Sequence, residues 1–276
     1  MEVGGKRIDS LQPAFHFQLL TYKLMSAPAD SDHLSLSLDR ALDLLVRGKL
    51  RPQGLLPWGS NYTFLVRIAL DDLETAAIYK PREGERPLWD FPDGTLCQRE
   101  VAAFVVSRAL GWLIVPPTVL RDGPHGIGMV QFYIDCNPEE HYFTLQEERR
   151  FHDQFKQIAL FDLLINNADR KSGHCLRDEH DHIWGIDHGV CFAVEPKLRT
   201  VIWEFAGQPI PDRLVDNLKE FRARFDQRDD RAVHALSQLL DKREMAALKR
   251  RTDQLIQAGC FPKPLPGYRQ IPWPPV

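Results

Sequence analysis

The chain has 276 residues, a formal net charge of −3 and a hydrophobic fraction of 43%. This length provides enough apolar material for one large domain or two small lobes. The small net charge gives no reason to expect a nucleic-acid partner. No stretch approaches the roughly 20 apolar residues of a membrane span, and the five scattered cysteines are typical of reduced thiols. We therefore expect a cytoplasmic protein without a membrane span, and the oligomeric state stays open.

Strand-forming residues dominate the first half of the chain. Ser37 is suited to cap a helix, and Asp71-Asp72 is suited to a turn between two strands. The predicted elements are a helix over 38–47, a hairpin with strands over 62–70 and 75–80, a Pro- and Gly-rich loop over 81–94, a helix over 97–110, and strands over 115–120 and 128–134.

Helical periodicity dominates the second half. A long amphipathic helix is predicted over 147–166, because Phe151, Phe155, Ile158 and Ile165 share one stripe. A hairpin over 175–186 follows, then helices over 213–224, 231–241 and 244–257. This segregation predicts an α+β fold in two lobes, a β-rich N-lobe and a mainly helical C-lobe. The predicted divisions are a flexible leader over 1–35, an N-lobe over 36–135, a C-lobe over 136–260 and a Pro-rich tail over 261–276.

Two aspartates, Asp169 and Asp187, flank the predicted second hairpin. The start of one strand and the end of the other lie at the same end of a hairpin, so we expect the two carboxylates to lie close together. Such a pair is suited to phosphoryl transfer, one group orienting an acceptor hydroxyl and the other holding Mg²⁺. Gly189 is expected to let the backbone turn sharply after Asp187. Aspartate and glycine are also common in ordinary loops, which is the alternative.

Lys80 ends an apolar strand, and a lysine that projects inward needs an anionic partner. Glu100, on the following predicted helix, is the candidate. The pair would direct the ammonium group at nucleotide phosphates. The alternative is that Lys80 begins a solvated loop.

A small-residue turn, Gly59-Ser60-Asn61, precedes the first strand of the hairpin. Such a turn can place backbone N–H groups around a phosphate. It lacks both the GxGxxG and the GxxxxGK[ST] pattern, so an ordinary hairpin entry is the alternative.

Taken in order, these segments resemble the atypical kinases of the phosphoinositide 3-/4-kinase superfamily. The likeness is to type II phosphatidylinositol 4-kinases, to HipA-like kinases and to a bacterial phosphatidylinositol-kinase-like group. It extends over about 55–207 and depends on four short anchors: Ile78-Tyr79-Lys80-Pro81, Arg99-Glu100, Asn166-Asn167-Ala168-Asp169-Arg170 and Ile186-Asp187-His188-Gly189.

The resemblance implies a two-lobed, protein-kinase-like fold that binds ATP and Mg²⁺ and transfers a phosphoryl group to an acceptor. Lys80 would contact the phosphates, Glu100 would hold Lys80, Asp169 would be the catalytic aspartate and Asp187 would bind the metal. Main-chain groups of the hinge between the lobes would bind adenine; the hinge residues implied are Gln131, Phe132, Tyr133 and Ile134. A phosphatidylinositol-like lipid, a small molecule and a protein all stay open as acceptor.

His174 departs from the family pattern, in which an asparagine five residues after the catalytic aspartate helps to bind the metal. Imidazole is a softer ligand than an amide oxygen and suits Mg²⁺ poorly. His174 is still a candidate metal ligand, and a base or a phosphate-binding donor are its other readings. A nucleotide-binding pseudokinase without phosphotransfer is therefore an alternative. A His/Asp metallohydrolase is another, because four histidines (His174, His180, His182 and His188) lie near the two aspartates in sequence.

Two further features bear on the site. Asp162 lies on the apolar stripe of the long helix, so we expect it to accept hydrogen bonds from the loop around Asp169 and to fix that loop; a partly exposed helix residue is the alternative. Lys197 and Arg199 lie where the related kinases bind the acceptor. They are suited to an anionic acceptor, or else they belong to a solvated loop.

Overall fold

The computed structural model describes residues 23–24, 35–56, 61–264, 267 and 269–276. The predicted leader lies almost wholly outside these residues, and so do Gly59 and Ser60. The strands are β1 (Lys23–Leu24), β2 (Ser35–Leu36), β3 (Lys49–Leu55), β4 (Phe64–Leu70), β5 (Leu73–Pro81), β6 (Thr118–Gly123), β7 (Gly126–Phe132), β8 (Cys175–Arg177) and β9 (Ile183–Gly185). The helices are α1 (Leu38–Arg47), α2 (Leu96–Ala109), α3 (Tyr142–Leu145), α4 (His152–Ile165), α5 (Asp212–Arg224), α6 (Arg231–Leu239) and α7 (Lys242–Ala258).

The N-lobe is built on a five-stranded antiparallel sheet with the strand order β3-β4-β5-β7-β6. The predicted hairpin forms its centre, with Leu70 opposite Leu73 and the turn at Asp71-Asp72. Asp71 has a φ of 52°, which an aspartate tolerates at a turn. Val66, Ile68 and Tyr79 point into the core of this lobe and are fully buried.

Strand β3 was not predicted from the sequence. All of its residues except Leu50 are exposed, and it contains Pro52 and a register shift between Pro52 and Gly54. An edge strand tolerates a proline and a bulge because one side of its backbone has no neighbouring strand. It therefore shows no alternation of apolar residues that sequence reasoning could detect.

Helices α1 and α2 pack on this sheet. Helix α1 has the predicted bounds; the Ser37 hydroxyl caps it by accepting a hydrogen bond from the N–H of Arg40 at 3.3 Å. Helix α2 is capped by Glu85, whose carboxylate accepts hydrogen bonds from the N–H groups of Leu96 and Cys97 at 3.0 and 2.8 Å. The loop before α2 is thereby tied to the start of the helix.

Strands β6 and β7 are displaced from their predicted positions. Strand β6 begins at Thr118, because the two preceding residues are Pro116 and Pro117, which cannot donate to a neighbouring strand. Strand β7 ends at Phe132. Consequently Tyr133 and Ile134 lie beyond the sheet, in the segment that leads to the C-lobe.

Helix α4 is the central helix of the C-lobe. The predicted helix over 147–166 is replaced by a short 3₁₀ turn at Arg149–Phe151 followed by α4, which ends at Asn166 with a left-handed φ of 54°. The predicted apolar stripe is confirmed: Phe151, Phe155, Ile158 and Ile165 are all at most 1% exposed.

The rest of the C-lobe consists of a short hairpin and three helices. The hairpin β8–β9 and the helices α5, α6 and α7 agree with prediction to within a few residues. The C-terminal segment contacts this lobe: the carbonyl of Pro275 accepts a hydrogen bond from the N–H of Ser172, and that of Gln270 from the N–H of Thr200, both at 2.9 Å.

The predicted α+β class is confirmed, with a β-rich N-lobe beside a mainly helical C-lobe. The exact division points between leader, lobes and tail stay predictions. Over the described ranges of the chain, none of the helices combines the length and the apolar character that crossing a bilayer requires.

Candidate nucleotide site

Lys80 lies in β5, opposite Met129 of β7, and its side chain is 18% exposed. Its Nζ lies 2.8 Å from Oε1 of Glu100 and also contacts Oδ1 of Asp187. The predicted Lys80–Glu100 pair is therefore formed, and the reading of Lys80 as the start of a solvated loop is wrong. Burial alone would lower the pKa of Lys80, but the two carboxylates outweigh it and raise the pKa above its usual value.

Glu100 joins three segments of the chain. It lies in α2 and is 2% exposed. While Oε1 accepts from Lys80, Oε2 accepts a hydrogen bond from the N–H of His188 at 2.8 Å. Its carboxylate thus connects β5, α2 and the segment that carries Asp187.

The two aspartates lie at the same end of the β8–β9 hairpin. Cys175 pairs with Gly185 there, so Asp169, before the first strand, and Asp187, after the second, are close in space. The charge of Asp187 also affects the pKa of Asp169. Burial raises the pKa of Asp169, and the negative charge of Asp187 adds to the rise, although Lys171 opposes it.

The backbone at Asp187 is unusual. Its φ is 60°, in the left-handed region that non-glycine residues seldom adopt. The left-handed conformation therefore occurs at Asp187 itself, while Gly189 lies in the turn that follows with a φ outside the left-handed region. A Cβ on Gly189 would be 3.5 Å from Leu96 and 3.7 Å from Oε1 of Glu100, so this glycine lies directly against α2.

Arg170 and Asp162 form a fully buried ion pair beneath the site; both side chains are 0% exposed. Oδ2 of Asp162 accepts from Nε of Arg170 at 3.0 Å, and its Oδ1 from Nδ2 of Asn167 at 2.8 Å. The predicted hydrogen bonds from the Asp169 loop to Asp162 are therefore present. Arg170 is therefore a buried residue beneath the Asp169 loop.

Arg170 also reaches the loop of the second aspartate. Its Nη1 donates to the carbonyl of Ile186 at 2.8 Å, and its Nη2 lies 2.6 Å from Nε2 of His188. Ile186 and His188, which flank Asp187, therefore both contact the guanidinium group of Arg170. This arrangement fixes the separation of the two aspartates.

His174 lies beside Asp187, with Nε2 at 3.3 Å from Oδ2 of the aspartate. Its Nδ1 faces the N–H of Lys171 at 3.4 Å and acts as acceptor, which places the proton of the neutral ring on Nε2. A protonated nitrogen has no lone pair for a metal. In this tautomer His174 donates to Asp187, and its role as a metal ligand stays a prediction.

Burial lowers the pKa of His174 to about 4, from 6.5 for an ordinary histidine. The unfolded chain therefore binds more protons below pH 6.5, so stability falls as the pH drops from 6.5 towards 4. We expect the wild type to lose about 2 kcal/mol more than His174→Asn between pH 7 and pH 5, since one pKa unit corresponds to about 1.4 kcal/mol. Urea unfolding at both pH values measures this difference.

The matched control is His180→Asn, which alters an exposed histidine at the tip of the same hairpin. It is expected to keep the pH dependence of the wild type. Equal pH dependence in the wild type and in His174→Asn would contradict the neutral, buried state of His174.

The predicted hinge residues differ in their contacts. The side chain of Gln131 is buried and donates to Oγ1 of Thr118 at 2.9 Å. The N–H of Phe132 donates to the carbonyl of Pro117 at 2.9 Å, and that of Tyr133 to the carbonyl of Ala76 at 3.4 Å. The N–H groups of two predicted hinge residues, Phe132 and Tyr133, thus donate to backbone carbonyls of the N-lobe, and Ile134 is the next residue along the connection.

Of the predicted small-residue turn, only Asn61 is described. Its Oδ1 accepts a hydrogen bond from the N–H of Arg86 at 2.8 Å. The side chain of Asn61 is therefore bound to the loop between β5 and α2.

The two cations predicted for an acceptor have different surroundings. Nζ of Lys197 forms a 2.6 Å ion pair with Asp90 and lies 5.2 Å from the ring centre of Trp89, which is 95% exposed. Nε of Arg199 is buried and has no hydrogen-bond partner among the described residues. The N–H of Arg170 donates to the carbonyl of Arg199 at 3.0 Å, so Arg199 lies against the Asp169 loop.

The other three histidines of the metallohydrolase alternative have separate surroundings. His180 is exposed at the hairpin turn, and Nε2 of His182 lies 2.5 Å from the carbonyl of Leu113. His188 is buried, where burial lowers its pKa well below the usual value. In the part of the chain that the structure describes, no group of three or more His, Cys, Asp or Glu side chains is arranged to hold a metal ion.

Sequence reasoning missed the role of Arg99. This residue of α2 is 2% exposed and forms an ion pair with Glu244 of α7. A signal was present, because residues on nearly every side of α2 are apolar and buried. A charged residue on such a helix needs a buried partner.

Comparison with known proteins gives two relatives in sequence, and no family model matches the chain. Protein Rv2133c of Mycobacterium tuberculosis (strain ATCC 25618 / H37Rv) is 39% identical over 264 residues, covering 84% of this chain and 94% of that protein. Phosphatidylinositol 4-kinase gamma 4 of Oryza sativa subsp. japonica is 30% identical over 117 residues, covering 34% of this chain. The chain matches only 20% of the length of the rice protein.

Two solved structures of kinases are also similar. The crystal structure of the Golgi casein kinase has a TM-score of 0.46 at 15% identity, over 83% of this chain and 76% of that one. The Helicobacter pylori proinflammatory kinase CtkA has a TM-score of 0.44 at 13% identity, over 78% of this chain and 94% of that one. Similarity at this level gives no information on activity or acceptor.

Proposed function

We propose that this chain, which belongs to the family of protein Rv2133c of Mycobacterium tuberculosis, is an ATP- and Mg²⁺-dependent phosphotransferase. One observation carries the proposal: Nζ of Lys80 lies between Glu100 of α2 and Asp187 of the C-lobe. In protein kinases a strand lysine paired with a helix glutamate contacts the nucleotide phosphates, and a nearby aspartate holds the metal. The three residue types and their positions in the fold match that arrangement.

The donor set at this site fits magnesium. The side chain of Asp187 is 44% exposed, so its carboxylate stays accessible to a ligand even though Lys80 contacts it. Carboxylate oxygens are the ligands that Mg²⁺ prefers. Burial opposes ionisation of Asp187, but Lys80 outweighs burial and lowers its pKa below the usual range. Asp187 would therefore hold the metal, which neutralises developing phosphate charge when bound.

Asp169 would accept the proton of the acceptor hydroxyl. Its raised pKa makes it a stronger base than an ordinary aspartate, and its side chain is 37% exposed, so an acceptor can reach it. The name of the rice relative supports a phosphatidylinositol-like acceptor, and a small molecule or a protein are the alternatives. Arg199, beside the Asp169 loop, would favour an acceptor that carries negative charge.

The proposal is tested by thermal unfolding with and without ATP and Mg²⁺. We expect ATP with Mg²⁺ to raise the melting temperature of the wild type, because a ligand that binds only the folded state stabilises it. At 100 times the dissociation constant the gain is about 2.7 kcal/mol. Lys80→Ala and Asp187→Asn should each diminish the shift, since they remove a phosphate contact and a metal ligand.

The matched control is Lys156→Ala, on the helical lobe, where Nζ lies 3.8 Å from the exposed Asp153. This variant should keep the full shift. Equal shifts in the wild type and in both site variants would count against the assigned site. No shift in the wild type would count against nucleotide binding altogether.

A nucleotide-binding pseudokinase is the second candidate, favoured by His174 in the place of the metal-binding asparagine and by its contact with Asp187. A single-turnover assay with γ-labelled ATP separates the two. Label transferred to water, to the protein or to added phosphatidylinositol supports the phosphotransferase. Binding without any transfer supports the pseudokinase.

A further inference from the structure

Arg99 is the buried cation of α2 that the chemistry above does not use. Its Nη1 donates to the carbonyl of Cys191 at 2.7 Å, and its Nη2 forms an ion pair with Glu244. Cys191 belongs to the segment that follows Asp187, and Glu244 lies in the first turn of α7. One guanidinium group therefore joins the helix of Glu100 to two separate parts of the C-lobe.

Glu244 is itself held in place. While Oε1 contacts Arg99, Oε2 accepts a hydrogen bond from the N–H of Asp241 at 2.9 Å, at the N-terminus of α7. A helix N-terminus favours a carboxylate in its first turn. Both oxygens are engaged and the residue is 7% exposed, so the anchor for Arg99 is fixed before any ligand arrives.

The remaining contacts of Arg99 come from the loop before α2. Its Nε donates to Oγ1 of Thr95 at 3.3 Å, and its guanidinium carbon lies 5.0 Å from the ring centre of Phe91. Phe91 is buried in a small cluster with Ala168, next to Asp169, and Ala193. This loop therefore adds a second connection between the lobes around the same guanidinium group.

Arg99 and Glu100 are consecutive residues of one helix, so they move together. A rotation of α2 that withdrew Glu100 from Lys80 would also withdraw Arg99 from Glu244 and leave two buried charges unpaired, which is strongly unfavourable. The same rotation would break the hydrogen bond from the N–H of His188 to Glu100.

We propose that Arg99 and Glu244 are positioning residues that hold Glu100 against Lys80 in the absence of nucleotide. In protein kinases the placement of this helix is a controlled step of activation. In this chain the ion pair assembles the site beforehand, so no rotation of α2 is needed when nucleotide binds. The inference rests on the proposed function, because it assigns the Lys80–Glu100 pair to a nucleotide site.

Hydrogen exchange of the full-length protein, with and without ATP and Mg²⁺, tests the inference. In the wild type the amides of α2 should be as protected without nucleotide as with it. In Glu244→Gln, exchange in α2 should rise at least tenfold without nucleotide and return towards the wild-type rate when ATP and Mg²⁺ are added. Exchange in α5, which does not contact Arg99, should stay unchanged.

The matched control is Asp253→Asn, which removes a carboxylate of α7 whose partner Arg222 is on α5 and not on α2. It should leave exchange in α2 unchanged. If Glu244→Gln fails to fold, Arg99→Lys serves instead, because it keeps the charge but loses the forked contacts. A uniform rise in all helices would assign the pair a merely structural role and overturn the proposal.

Hydrogen exchange of the wild type alone also tests whether α2 is held in place before nucleotide binds. If α2 exchanges rapidly without nucleotide and is protected only by ATP with Mg²⁺, the helix is not held in advance and the inference is wrong. If ATP with Mg²⁺ causes no change in exchange or melting temperature anywhere, the proposed function fails, while the nucleotide-free comparison of wild type and Glu244→Gln still tests the anchor.

Discussion

Replacing Asp162 by asparagine is expected to lower the free energy of unfolding by about 3–5 kcal/mol, because it leaves the Arg170 guanidinium buried without a counter-charge. Both side chains are fully buried, and the carboxylate accepts four different donors, from Asn167, Arg170 (twice) and Thr200. Water cannot replace these contacts in the native state. Urea unfolding at pH 7, monitored by tryptophan fluorescence, measures the loss.

The control is Asp153→Asn, on the same helix, where the side chain is 86% exposed. Surface substitutions of this kind change stability by at most about 0.5 kcal/mol. A similar loss of unfolding free energy in both variants would show that the Asp162–Arg170 pair stabilises the fold no more than a surface residue does. A large loss confined to Asp162→Asn supports its role beneath the Asp169 loop.

The second large effect is expected in catalysis. Asp169→Asn should reduce the rate of phosphoryl transfer by about 10²- to 10⁴-fold, the usual contribution of a general base. Nucleotide affinity should stay near the wild-type value, since Lys80 and Asp187 are unchanged. Single-turnover transfer of γ-labelled phosphate and the thermal shift with ATP and Mg²⁺ measure the two quantities separately.

The pH dependence gives a further check on Asp169. The base acts only when deprotonated, and burial followed by the charge of Asp187 raises its pKa. The wild-type rate should therefore fall on acidification at a higher pH than an ordinary aspartate would give. A variant Asp169→Asn that keeps the wild-type rate would remove this residue from the chemistry.

The parts of the fold with a strong local signal were predictable. Helix α1 follows from its apolar spacing and its Ser37 cap, and the central hairpin from its β-branched strands around Asp71-Asp72. Strand β3 was not predictable, because an exposed edge strand carries no apolar alternation. The predicted strand over 115–120 began too early, because the apolar Val115 was included. The structure starts β6 at Thr118, after Pro116 and Pro117, which cannot donate backbone hydrogen bonds.

The site was predictable where topology alone brings residues together. Asp169 and Asp187 lie at the same end of the hairpin that joins them. Lys80 contacts Glu100 because its strand and the helix of Glu100 follow each other along the chain. The partner of Arg99 was not predictable, since Glu244 is far along the chain in another helix. The left-handed backbone at Asp187 was also missed, because Gly189, two residues further on, offered a simpler explanation of the turn.

The contact between the C-terminal segment and the Asp169 loop has a practical consequence for protein production. The carbonyls of Gln270 and Pro275 satisfy two N–H groups near Asp169, and each lost hydrogen bond costs about 1 kcal/mol. If the chain is the proposed phosphotransferase, a recombinant protein trimmed before residue 269 is expected to have lower activity, because the Asp169 loop loses these hydrogen bonds. Kinetic comparisons between variants are therefore meaningful only on protein that retains 269–276.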